Sequence, residues 1–264
     1  MSRVETATDL RHPTALIHPE ARVSDSASIG PYSIIGPDVQ LGEGVRIDSH
    51  VLIERDTRIG PHSRVGKGAV LGTDPQDLKY EGEETILKVG ARTTIREYAT
   101  LNRGTAASGT TRVGDDCLIM AYAHIAHDCR IGDHVILANA VNMGGHVEIN
   151  DWAIVGGLTA IHQFVRIGRH SFVGGGSRLP QDVAPFVTVA GNPCVAYGLN
   201  IVGLRRRGFS RDTLEELRDA YRRIFQSSLN IGQALEELEA VPDHGPEVAH
   251  LIEFIRTSKR GITT

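Results

Sequence analysis

An aliphatic residue returns at every sixth position over most of this chain. Steps of six from Ile17 reach Val23, Ile29, Ile35, Leu41, Ile47, Ile53, Ile59, Val65 and Leu71. The same phase resumes at Val89, Ile95 and Leu101, then at Val113, Ile119, Ile125, Ile131, Leu137, Met143, Ile149, Val155, Ile161, Ile167 and Val173. Only Asp77, Glu83 and Ala107 occupy the register without Ile, Val, Leu or Met, although the chain is just 41% hydrophobic. A register filled far beyond composition is an internal repeat. The residue after the aliphatic is often glycine, as at Gly30, Gly36, Gly42, Gly60 and Gly66, which suggests a turn with unusual backbone angles. The residue two before it is small or β-branched, as at Ala27, Ser33, Val39, Val45 and Thr57. Neither a helical period nor a period of two yields this set. A six-residue unit with one inward aliphatic and one turn makes one side of a triangular coil. Three units close a coil, and coils stack at the strand-pairing distance of roughly 4.8 Å. The expected fold is therefore an all-β parallel β-helix, each coil burying its aliphatics only against its neighbours.

Two segments interrupt the rhythm, residues 72–88 and 103–112, and both are expected to project as loops from a β-helix spanning residues 14–190. Residues 1–13 read as an N-terminal tail, and residues 180–200 as a proline-rich connection. Beyond residue 210 the spacing turns helical: Ser210 suits an N-cap, and Leu214, Leu217, Tyr221, Ile224 and Phe225 recur at helix spacing. Further helices are expected around Ile231 to Leu238 and from Pro246, completing a small α-helical domain within residues 191–264 that caps the coil.

Composition excludes several functions. The net charge is −4, so no basic domain for nucleic acid is present. No apolar run approaches the roughly 20 residues that cross a bilayer, and the first residues lack the apolar core of a signal peptide, so a cytoplasmic protein without an integral membrane segment is expected. Cys117 and Cys129 fall on the small position before Ile119 and Ile131, which makes them packing residues rather than reactive thiols.

Residues 18 apart stack on one another in such a coil, and this brings chemistry to one corner. His127, Gly145 and Gln163 form a column. Asp128, His146 and Phe164 run along one flank of it, with Ala126, Gly144 and His162 along the other. Asp128 beside His127 can orient the imidazole of a general base, and Gly145 leaves a backbone N–H open to a developing oxyanion. A metal reading competes: His124, His127 and His146 could converge on zinc, as in the γ-type carbonic anhydrases that share this kind of coil, although the spacing is unlike theirs.

The strings DPQDLKY, HIAHDC, GGHVEI, AIHQF, AGNP, GLN and LRRRGFS, in this order on the repeat, make the chain resemble the UDP-N-acetylglucosamine O-acyltransferases of lipid A biosynthesis, from about residue 14 onward. The resemblance implies a left-handed coil, a homotrimer with active sites between subunits, and no cofactor or metal. It implies acyl carrier protein as donor and a UDP-sugar as acceptor, with His127 as base, Asp128 as its support and Gly145 at the oxyanion. Gln76, Asp77, Lys79, His124, His146, His162, Gln163, Asn200 and Arg206 would then bind substrate, and Gly175 would limit the acyl chain. Val202 stands where members of the family carry Glu. The run Arg205–Arg207 would face the diphosphate and the acidic carrier. Two other classes remain open on the residues alone: a coenzyme A-dependent hexapeptide acetyltransferase, and a zinc-dependent carbonic anhydrase relative.

Overall fold

The computed structural model describes residues 10–241 and 243–264. Most strands are only two residues long, and each pairs in parallel with the strand one coil later: Leu16–Ile17 with Ile34–Ile35, Arg22–Val23 with Gln40–Leu41, Ser28–Ile29 with Arg46–Ile47. The result is three long walls, of nine, eight and ten strands, that enclose a triangular core. The register aliphatics from Ile29 to Val173 are buried, as are the small residues two positions earlier, such as Ala27, Val39 and Thr57 at 0% exposure. Each aliphatic so buried contributes about 1.5–3 kcal/mol, which sustains a core nearly free of aromatics.

The expectation about the glycines needs correction. Gly30, Gly36, Gly42, Gly60 and Gly66 do not have positive φ; the left-handed residues lie two positions further on and are mostly not glycine, among them Tyr32, His50, Tyr98, Tyr122, Asp128, His146 and Phe164. Most of them turn their N–H onto a carbonyl of the preceding coil, as His50 does to Pro31 at 2.9 Å and His146 to His127 at 3.0 Å, while Tyr32 and Asp128 donate instead to the hydroxyls of Thr14 and Thr111. That ladder bond offsets the roughly 1 kcal/mol strain of left-handed backbone. The glycines answer to crowding instead: a Cβ on Gly36 would lie 1.6 Å from the Glu54 carbonyl oxygen, in the next coil.

Both expected loops are shorter than the interruption of the register. Strands Val70–Thr73 and Ile86–Val89 bound the first, and Thr100–Asn102 and Thr110–Val113 the second. Both leave the corner between the nine- and eight-stranded walls. The second loop does not stand clear of the coil, since Arg103 and Thr105 are buried. Of the expected N-terminal tail, residues 1–9 lie outside the described residues, and Arg11 already bridges to Ile29. The region after residue 180 is not a plain connection: Val187–Ala190 continues the ten-stranded wall in parallel, and Val195–Leu199 closes it antiparallel.

Among the described residues four helices follow. Ile201–Arg206, absent from the sequence reading, is capped by Asn200. Arg211–Phe225 starts at the anticipated cap, Ser210, which accepts from the Thr213 N–H at 3.0 Å. Ile231–Glu239 and Pro246–Arg256 complete the bundle. It seals the last coils through the Arg169–Glu247 ion pair, the Arg166 to Thr257 hydrogen bond and the fully buried Phe186, beside which His170 and Phe209 pack. Burial, followed by the charges of Arg207 and Arg169, pushes the His170 pKa down to about 4. Between that value and its ordinary 6.5 the unfolded chain binds the extra proton, so folding stability falls as pH drops through this window. We expect the melting temperature to fall between pH 6.5 and pH 4 in the native protein, and to fall less steeply in His170→Asn, whose side chain suits the left-handed backbone at this position. Melting curves at half-unit pH steps check this.

Candidate active site

The corner between the nine- and eight-stranded walls carries the predicted column. Asp128 follows His127 in left-handed conformation, which swings its carboxylate back beside the neighbouring imidazole. His127 Nδ1 and Asp128 Oδ2 are 2.8 Å apart, and the carboxylate is fully buried. The column stacks as the 18-residue arithmetic requires: a Cβ on Gly145 would lie 2.4 Å from the His127 ring. Glycine there makes room for the imidazole, a reason additional to the open N–H. Among the described residues nothing accepts a hydrogen bond from that N–H. His146 meets His127 edge-on at 5.2 Å between centroids, stacks on Phe164 at 4.5 Å, and holds Nε2 3.6 Å from Asp128 Oδ2.

What holds Asp128 was not read from the sequence. The second loop delivers three donors: the Thr105 N–H at 3.1 Å, its hydroxyl at 2.7 Å, and the Ser108 hydroxyl. Thr111 accepts from the Asp128 backbone N–H at 2.8 Å. Burial alone would raise the carboxyl pKa, but the hydrogen bonds from Ser108, His127 and Thr105 outweigh it and hold the group below its usual range. The break of the register at Ala107, inside a stretch rich in Ser and Thr, was the available signal.

The remaining predicted residues divide. His124, on the outer face of the nine-stranded wall, shares a 2.7 Å hydrogen bond through Nδ1 with Thr100, and burial, then the charge of His127, lowers its pKa. His162 and Gln163 lie one coil beyond Gly144, and both are exposed. Gln76, Asp77 and Lys79 sit in the first loop, two coils before His127 at the same corner, and their hydrogen bonds are local: Lys79 N–H donates to Asp77 at 3.0 Å. That loop is anchored at its base, where buried Arg103 binds Asp74, the Gly72 carbonyl and Tyr80. Asn200 is occupied at both ends of its amide, accepting from the Gly203 N–H at 3.1 Å and donating to the His170 carbonyl at 3.0 Å. Arg205 and Arg206 are exposed, whereas Arg207 is half-buried over Trp152. Val202 is 62% exposed on the same short helix. Both packing cysteines are buried, and burial pushes Cys117 up to about 11 and Cys129 up to about 12.

Among the described residues, the three side chains whose ligand atoms lie within 4.8 Å of one another are His127, Asp128 and His146, not the trio of histidines considered for zinc. Asp128 already accepts from Thr105, Ser108 and His127, and His124 is bound to Thr100. That donor set fits a hydrogen-bonded carboxylate better than a metal ligand.

The triangular coil of six-residue units is the architecture of the hexapeptide-repeat transferases, and here it carries a buried Asp–His pair beside an open glycine N–H. The family model for bacterial transferase hexapeptides (six repeats) matches residues 110–145, and that for domain 2 of UDP-N-acetylglucosamine O-acyltransferase matches residues 182–263. Acyl-[acyl-carrier-protein]–UDP-N-acetylglucosamine O-acyltransferases of Alkalilimnicola ehrlichii and Burkholderia mallei are 47% and 49% identical, each alignment covering 74% of this chain and 76% of the relative. LpxA from Acinetobacter baumannii superposes with a TM-score of 0.94 at 44% identity, covering 97% of this chain and 100% of that one. The UDP-N-acetylglucosamine O-acyltransferase of Moraxella catarrhalis gives 0.93 at 45% identity over the same shares. The chain belongs to the UDP-N-acetylglucosamine O-acyltransferase family, and its coil is the left-handed β-helix.

Removing donors from a carboxylate raises its pKa. Ser108→Ala and Thr105→Val are each expected to raise the Asp128 pKa, read by carbon NMR titration, and to cost about 1.5–3 kcal/mol of stability at neutral pH. Because the native pKa is depressed, that stability is present above the unfolded value of about 3.9 and is lost as pH falls through the folded one. Denaturant melts should therefore separate the variants from the native chain at pH 7, with the gap narrowing as the pH is lowered below about 3.9.

Proposed function

We propose that this protein transfers a 3-hydroxyacyl chain from acyl carrier protein to the 3-hydroxyl of UDP-N-acetylglucosamine, opening lipid A synthesis in the cytoplasm, with no cofactor. The observation that carries this reading is the buried Asp128–His127 pair stacked over Gly145, in a chain whose relatives bear that activity in their names. His127 Nδ1 faces Asp128, so Nε2 is the nitrogen left to take the proton from the sugar hydroxyl. The alkoxide attacks the thioester carbonyl, and the Gly145 N–H receives the developing oxyanion. Collapse forms the ester and releases the carrier thiolate, which takes the proton back from His127. Asp128 holds the ring in one tautomer and stabilises its charged form. No covalent enzyme intermediate is required.

His124 and His146 flank the base, and His162 and Gln163 lie on the next coil, where the sugar and nucleotide would extend. Because Asn200 is committed to its helix cap, its part in nucleotide binding would be to fix the helix that presents Arg206. Gln76, Asp77 and Lys79 reach the substrate of a neighbouring chain in a homotrimer. Two surfaces support that assembly. The corner between the ten- and nine-stranded walls exposes Tyr32, Tyr122 and Leu158, at 61%, 61% and 75%. The ten-stranded wall beside it presents Leu118, Ile136, Ile154 and Phe172 outward.

General-base assistance is worth about 10² to 10⁴ in rate. His127→Ala should lose at least a hundredfold in acyl transfer with UDP-sugar binding retained, and mixed trimers of His127→Ala and Lys79→Ala chains should recover activity. A loss below tenfold removes His127 from the role; transfer from acetyl-CoA but not from acyl carrier protein overturns the donor.

Gly175 would stop the acyl chain, about three coils or roughly 14 Å along the axis from the coil of His127. Its glycine is not required by backbone conformation, since the positive φ belongs to Gly176 at 69°. A Cβ at Gly175 would press on the Gly157 carbonyl oxygen at 3.1 Å, with the Gly157 nitrogen at 3.7 Å, so the neighbouring coil must give by a few tenths of an ångström. Gly175→Met should therefore fold with a modestly lowered melting temperature and favour shorter donors, each excluded methylene being worth about 0.8 kcal/mol. Competition assays between donors of different length read the shift.

A further inference from the structure

The outward positions of the eight-stranded wall form a row that the proposed chemistry does not use. In pairing order they are Arg22, Gln40, Arg58, Lys88, Arg112, Arg130, Glu148 and Arg166. Arg22, Arg58, Lys88, Arg112 and Arg130 are exposed, and among the described residues none of these five has an ion-pair or side-chain hydrogen-bond partner. Other surface arginines are paired, Arg92 with Asp116, Arg96 with Glu97, Arg211 with Glu215 and Arg256 with Glu239, and the unpaired Arg46 and Arg64 of the ten-stranded wall make a run of only two strands, between Ser28 and Thr94. Like charges placed opposite one another on adjacent strands repel. A chain of net charge −4 has acidic residues to spare, yet from Arg58 to Arg130 the row runs cationic over four adjacent strands.

We propose that this row is the docking surface for the acidic acyl carrier protein, an inference that rests on the carrier being the donor. Three observations select that occupant. First, the row leads to the reacting corner, since Arg130 lies two residues past Asp128, and a cleft floored by Asp128 and His146 opens onto this wall between Arg130, Arg166, Lys259 and Arg260. Second, the wall lies opposite the apolar corner of Tyr32, Tyr122 and Leu158, so a neighbouring copy covering that corner leaves the row open. Third, the Arg205–Arg207 run is the weaker alternative, because Arg207 is half-buried against Trp152 and His170. A row of cations several coils long also suits a carrier that must stand back from His127 by the length of its prosthetic arm.

The test uses the full-length protein and measures transfer to UDP-N-acetylglucosamine with acyl carrier protein as donor and, separately, with the acyl group on free pantetheine. Arg58→Glu/Lys88→Glu and, independently, Arg112→Glu are expected to raise KM for the carrier at least tenfold. KM for UDP-N-acetylglucosamine and turnover from acyl-pantetheine should stay at native values, with a flatter dependence of carrier KM on salt. These positions are exposed, so melting temperatures should be native; Arg58→Gln/Lys88→Gln provides a milder pair with a smaller effect in the same direction. Unchanged carrier KM in folded variants overturns the docking surface, as does an increase confined to Arg205→Glu. Loss of binding to vesicles of anionic phospholipid with carrier KM unchanged assigns the row to a membrane surface and equally overturns it. If the native protein transfers from acyl-pantetheine but never from the carrier, it is the donor assignment above that fails.

Discussion

The stacking of one coil directly on the next is the constraint from which the rest of the molecule follows. A strand of two residues has almost no stability of its own. It survives because each register aliphatic packs against its counterparts 18 residues away while the ladder joins the same positions, as between Ile125 and Met143. One requirement therefore sets the spacing of the core, the glycines that let carbonyls of the next coil approach, and the left-handed residue at each corner. A slip of one position would fail all of them together.

The same stacking builds the site. Because every corner repeats the same backbone, side chains 18 residues apart are brought into register without any dedicated loop. His127 over Gly145 and Asp128 beside His146 arise in that way, from short stretches each unremarkable alone. Where precision is needed the repeat is broken: the insertion before Thr110 supplies Thr105 and Ser108 to the Asp128 carboxylate. A buried carboxylate without such donors would shift toward its neutral form and cease to favour a charged imidazole. The helical bundle closes the end of the stack that would otherwise expose unpaired strand edges, through Phe186, Arg169 and the neutral His170.

The sequence by itself determined the coil, the core, the capping helices from Ser210 onward, and the convergence of His127, Asp128, Gly145 and His146. It could do so because a strict period converts sequence separation into spatial separation, so that 18 residues mean one coil. Only the tertiary structure decided what lies outside that rule. It moved the unusual backbone angles from the glycines to residues such as Asp128 and His146. It showed two strands, Val187–Ala190 and Val195–Leu199, where composition suggested a connection, and after them a short helix, Ile201–Arg206, that the periodicity did not signal. It turned Asn200 into a helix cap and gave Asp128 its partners from an insertion whose path no periodicity describes. The physical reason is the same in each case: caps, insertions and hydrogen-bonded carboxylates depend on where a backbone is carried by its surroundings, and that information lies between segments rather than within any one of them.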